Sequence, residues 1–162
     1  SIVSVAMIPF DLETGDTGVG FYQNIELQSC LDLGLSVSAS TFYWWLQQEE
    51  AARVALTTDR VDIKDGMARL RGYVVDKQYH KCQLWANPSS FDIPILRNSF
   101  SMCQQHFPFH YNKDMDYKSI YKFVLRIAGR LDRIPREGAH DAFQDCLHQI
   151  KVVHQLYREL KA

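Results

Sequence analysis

QLWANPSSFDIPILRNSF, Gln83 to Phe100, changes character twice along its length. Gln83 to Ala86 reads as the end of a strand, Asn87 to Ser90 as a turn rich in Pro and Ser, and Ile93 to Phe100 as an apolar helical start. Asp92 therefore falls at a strand-loop-helix junction. Open α/β sheets take their ligands outside the carboxyl ends of their strands, so an acidic residue there is a site candidate before it is a cap.

A second acidic stretch lies near the end of the chain, GAHDAFQDC from Gly138 to Cys146. After Asp141 the apolar residues Phe143, Leu147, Ile150, Val153, Leu156 and Leu160 recur at helical spacing. His140 then stands at the helix entrance and Asp145 about one turn inside. Such a step suits metal chemistry: Asp145 holds a divalent cation while His140 takes a proton from a water polarised by it. The plainer alternative makes Asp141 a cap and His140 a loop residue.

With STFYWWLQQEEAAR, Ser40 to Arg53, these pieces stand in an order that resembles one family. The double tryptophan followed by Gln and Ala-Arg, the Phe-Asp before an apolar helix, and the His with four residues between it and an Asp are together specific. They resemble the DEDDh 3′ to 5′ exonucleases, in particular the phage exonuclease A and mycobacterial exoribonuclease types. The resemblance implies an α/β domain of ribonuclease H-like type, with a mixed sheet and helices on both faces. It also implies a two-metal phosphodiesterase, in which four carboxylates hold two Mg2+ or Mn2+ ions about 4 Å apart. By position, Asp92 resembles the middle aspartate, Asp145 the last aspartate and His140 the general base. The expected reaction releases nucleoside monophosphates from single-stranded DNA or RNA 3′ ends. Phe91 and one of Trp44 or Trp45 would line the base pocket, and Gln48 would reach phosphate or sugar. The rival expectation is a binding module that keeps the groove without the chemistry.

The totals agree with one domain over residues 1–162. An apolar content of 46% supports a core, and a net charge of −1 calls for no large basic face. No apolar run suggests a membrane span and no secretory signal is visible. Cys30, Cys82, Cys103 and Cys146 lack CxxC spacing, which argues for packing thiols in a reduced cytoplasm, that of a host if the protein is phage-encoded. Oligomeric state stays open, a dimer included.

Ile2 to Phe10 reads as a strand and Val19 to Ile25 as its antiparallel partner. Between them DLET, Asp11 to Thr14, imitates the Asp-x-Glu that resembling enzymes carry on their first strand. Phe10-Asp11, Thr14-Gly15 and Phe21-Tyr22-Gln23-Asn24-Ile25 instead resemble a later hairpin, so DLET is expected to be a turn. On that alignment the chain begins at the second strand of the resembling fold, without the Asp-x-Glu pair.

Leu27 to Ser40 reads as a loop with Ser40 or Thr41 as N-cap, followed by a helix over Phe42 to Leu56. One tryptophan of the pair is expected in the core and the other toward the cleft. Val61 to Val75 reads as a helix. His106, His110 and Asp114 tempt toward a metal site, but Pro108 and alternating aromatics argue for an extended segment, and Asp116 for a cap. Tyr117 to Leu131 reads as a helix with Lys118, Lys122, Arg126 and Arg130 in a basic stripe, either a solvated face or a nucleic-acid contact.

Overall fold

In the computed structural model, which describes residues 1–135 and 141–161, short strands and helices alternate along the chain. β1 (Ser4–Met7) and β2 (Phe21–Ile25) pair antiparallel, with Val5 opposite Gln23 and Ala6 opposite Tyr22. Their connection is the DLET turn. Asp11 Oδ1 accepts the Glu13 and Thr14 amides at 2.7 and 2.9 Å, and Gly15 supplies the left-handed φ of +79°. A short acceptor side chain bonding the backbone just after it is how an Asx turn closes.

β2 continues in parallel with β3 (Arg60–Val61), while β4 (Leu84–Ala86) pairs in parallel with β5 (Asp114–Asp116). The expected mixed arrangement is thus present in two pieces, one of three strands and one of two. Both rest on one core. Val5, Ile25, Leu84 and Ala86 pack with Ile63, Met67, Leu70 and Val74 of α4 (Ile63–Asp76) and with Ile93 and Phe100 of α5 (Ser89–Met102). Across the β1–β2 sheet, Phe143 of α7 (Ala142–Lys161) lies against Ile8 and Gly20. There α7 and α6 (Tyr117–Ala128) form a smaller core of Val124, Val152 and Leu156. The alternation of a strand makes both faces possible: Val5 turns inward to α4, and the next residue turns toward α7.

Several boundaries differ from the sequence reading. Leu27 to Ser40 is not all loop: α1 (Leu27–Asp32) forms because Cys30 is buried in the core and the Glu26 side chain caps the Gln28 amide. The helix expected over Phe42 to Leu56 divides into α2 (Ala39–Leu46) and α3 (Glu50–Ala55). Gln48 Nε2 donates to the Trp44 carbonyl at 2.7 Å, occupying the acceptor, and Asn24 Nδ2 draws the Ala55 and Thr58 carbonyls onto β2 at 2.8 and 2.9 Å. Ser38, not Ser40 or Thr41, caps α2. Val61 belongs to β3, so α4 starts at Ile63 with Asp62 capping it. α5 begins at Ser89, about a turn before Ile93, which puts Phe91 and Asp92 inside the helix. α6 ends at Ala128 because Gly129, at φ +75°, closes it with a left-handed cap.

Candidate active site

Asp92 is placed by the step from β4 to α5, which passes through a cis Asn87-Pro88 bond. Its Oδ2 accepts the Asn87 amide at 3.3 Å. Burial raises the pKa of the Asp92 carboxyl; the Asn87 bond opposes that, and the charge of Asp145 adds to it. A carboxylate in the first turn of a helix is ordinarily favoured in its charged form, so the upward direction marks a group held out of water beside a like charge.

Asp145 comes from the other layer. Asp141 caps α7, its Oδ1 accepting the Gln144 amide at 2.8 Å and its carbonyl the Asp145 amide at 2.9 Å. That sets Asp145 one turn into the helix, the position read from the apolar spacing. Cys146 beside it shows where the charges gather. Burial pushes its thiol up to about 12, with Asp145, Asp92 and Asp141 adding in that order. The Cys146 Sγ lies 3.8 Å from the Ala6 carbonyl of β1, so this end of α7 sits over the first strand. Tyr22 on β2 faces the same group: burial and then Asp141 raise its hydroxyl, which donates to Asn24 Oδ1 at 2.7 Å.

The acidic centre therefore draws on α5, on the start of α7 and on the β1–β2 sheet. Cys146 and Tyr22 were not singled out by the sequence reading. Adjacency to Asp145 was the only signal for the thiol, and nothing in the local pattern pointed to Tyr22. Phe91 stands in the same first turn as Asp92 with its ring 62% exposed. Trp44 and Trp45 meet edge-on, ring centroids 5.0 Å apart, and neither is a core residue; the division into one core and one cleft tryptophan does not hold, because α2 buries no residue. The Gln48 side chain folds back onto its own helix at the Trp44 carbonyl. His140 lies outside the described residues.

Two tempting ligand sets dissolve on inspection. Glu13 accepts from the Tyr157 hydroxyl at 2.9 Å and pairs with Lys161 at 3.4 Å, and Asp11 closes its own turn, so DLET is structural. Arg97 forks onto Asp114 at 2.9 and 3.0 Å, and Asp116 caps α6 through the Ser119 amide at 2.7 Å. Among the described residues no group of three or more His, Cys, Asp or Glu side chains is arranged to hold a metal ion. Asp92 and Asp145 remain as a pair of hard oxygen donors, the donor type that Mg2+ and Mn2+ prefer.

Neither the curated proteins nor the solved structures contain a significant match to this chain. A family model described as the 3′-5′ exoribonuclease Rv2179c-like domain matches residues 1–157, nearly the whole length, and takes in both acidic stretches. The chain belongs to that family of exoribonuclease-like domains.

Proposed function

We propose that this domain removes nucleotides from the 3′ end of single-stranded RNA by cation-dependent hydrolysis, on a ribonuclease H-like framework of the DEDDh kind. What carries the reading is the meeting of Asp92 and Asp145, from two different layers, with Asp92 held partly out of water against a like charge. Such an arrangement is unfavourable until a cation joins it. Mg2+ is commonly held by one or two carboxylates together with substrate phosphate oxygens, so this pair fits one ion. When bound, the cation supplies Lewis-acid polarisation of the phosphoryl group and an acidified water. His140 would take the proton from that water. The exposed Phe91 ring, one residue from Asp92, offers a face for the terminal base, with Trp44, Trp45 and Gln48 as further base and sugar-phosphate contacts. Two ions would call for more carboxylate charge than Asp92 and Asp145 bring.

The second reading, a nucleic-acid-binding module without chemistry, is favoured by the absence of a three-ligand cluster among the described residues. Among those residues no helix is long and apolar enough to cross a membrane, and a cytoplasmic RNA substrate is part of the first reading. A Mn2+-dependent digestion of end-labelled single-stranded RNA separates the two. Shortening from the 3′ end, reduced more than about a hundredfold in Asp92→Asn, is the expected result, because a ligand matters more than the outer groups that orient it. Undiminished hydrolysis by Asp92→Asn would remove Asp92 from the site, and RNA binding without cleavage would select the binding module.

A further inference from the structure

Helix α6 carries a charge pattern that the acidic centre does not use. Lys118, Lys122, Arg126 and, just past the helix, Arg130 recur every four residues, all exposed, with no acidic residue between Asp116 and Asp132. Among the described residues none of these four cations is in an ion pair. Like charges four apart on a helix repel, so the stripe is a standing cost to α6 that a polyanion would relieve. Its first two members lie beside the helix turn that bears Asp92. Lys118 and Lys122 line a cavity of about 400 Å³ together with Ser119 and Asp116 of their own segment and Ser89 and Ser90 of α5, the turn that bears Asp92. The Asp116 charge in that cavity is taken up by the Ser89 and Ser119 amides at 2.6 and 2.7 Å, which leaves the two ammonium groups to face solvent.

Two features make the fitting partner a nucleic acid rather than any acidic surface. Four helical residues advance about 6 Å, a regular spacing suited to the repeating phosphates of an extended strand. Phe123, 59% exposed, sits beside Lys122 and one turn before Arg126, so an aromatic face is interleaved with the cations. Stacking on such a face tolerates any base. We propose that α6 is the track for the strand on the 5′ side of the nucleotide being removed, with phosphates on Lys118, Lys122 and Arg126 and a base on Phe123. The direction of the strand rests on the hydrolase reading above; the binding surface itself does not.

The test is equilibrium binding of the full chain to a ten-nucleotide single-stranded RNA of mixed sequence and to a dinucleotide, in EDTA so that nothing is cleaved. Wild type binds the longer strand more tightly. Lys118→Ala with Lys122→Ala lowers the ratio of the two affinities at least tenfold and flattens the plot of log affinity against log salt by about 1.4, two lost contacts at about 0.7 each. Lys118→Arg with Lys122→Arg restores both. An unchanged ratio and slope in the alanine pair overturns the track, even if Mn2+-dependent cleavage is intact. Lysine-dependent binding by a chain that cleaves nothing supports the track while the hydrolase reading falls. Polyglutamate competing as well as RNA of equal charge overturns the nucleic-acid assignment.

Discussion

Asp92 and Asp116 both stand at the start of a helix, yet their carboxyls move in opposite directions. Burial, with Asp145 adding, lifts Asp92, whereas the Ser119 hydrogen bond, with the Ser89 amide also contributing, draws Asp116 down to about 2. Each neighbourhood states a role. Asp116 is served by donors and holds α5 and α6 together; Asp92 is short of donors and faces another acid. Because the folded state lowers the Asp116 pKa below its ordinary 3.8, its contribution is complete above that value and is lost as pH falls toward about 2. Asp116→Ala should lower stability near neutral pH by about 1 kcal/mol, the usual worth of a cap at a solvent-screened position. Urea unfolding of the two proteins should converge as pH drops below about 4; a difference that stays constant down to pH 2 would show that the carboxylate charge is irrelevant.

At the scale of elements, the acidic centre depends on how α7 seats on the β1–β2 sheet. Gly20 permits that approach, since a Cβ there would lie 2.6 Å from the Phe143 ring and 2.9 Å from Ile8 Cγ1. Gly20→Ala should cost about 1–3 kcal/mol through overpacking. It should also weaken the Mn2+ response, because Phe143 and Asp145 share the first turns of one helix. Chemical denaturation and a Mn2+ thermal-shift titration read the two effects separately. An unshifted denaturation midpoint would mean that α7 seats without needing the gap. The division of α2 from α3 belongs to this scale too. The local pattern along Phe42 to Leu56 supports a single helix; at the break the Gln48 side chain takes the Trp44 carbonyl, while Asn24, from a distant strand, holds the far end of α3 through the Ala55 and Thr58 carbonyls.

In the molecule as a whole, two cores flank the strands. The larger, around Met67, Leu70 and Phe100, fixes α5 and hence Asp92; the smaller, around Val124, Val152 and Leu156, fixes α7 and hence Asp145. Leu156 is 1% exposed, so Leu156→Ala should cost about 2–5 kcal/mol. Hydrogen exchange should show the loss first in α6 and α7 while α4 and α5 keep their protection; an even loss across all four helices would mean that the two cores open as one. Much of this was legible in the chain. Local chemistry sufficed for the DLET turn, for the Asp116 cap and for the α7 start one turn before Asp145, because each rests on bonds between residues a few positions apart. The step from β4 to α5 around Asp92 was likewise readable from its turn residues and apolar run. The family resemblance put Asp92 and Asp145 in one site, but no local pattern disclosed how the two come near each other, the gathering of charge around Cys146 or the place of Tyr22 beside it. Those rest on α5 docking on β4 and β5 while α7 docks on β1, and a short-range pattern carries no record of which distant face it will meet.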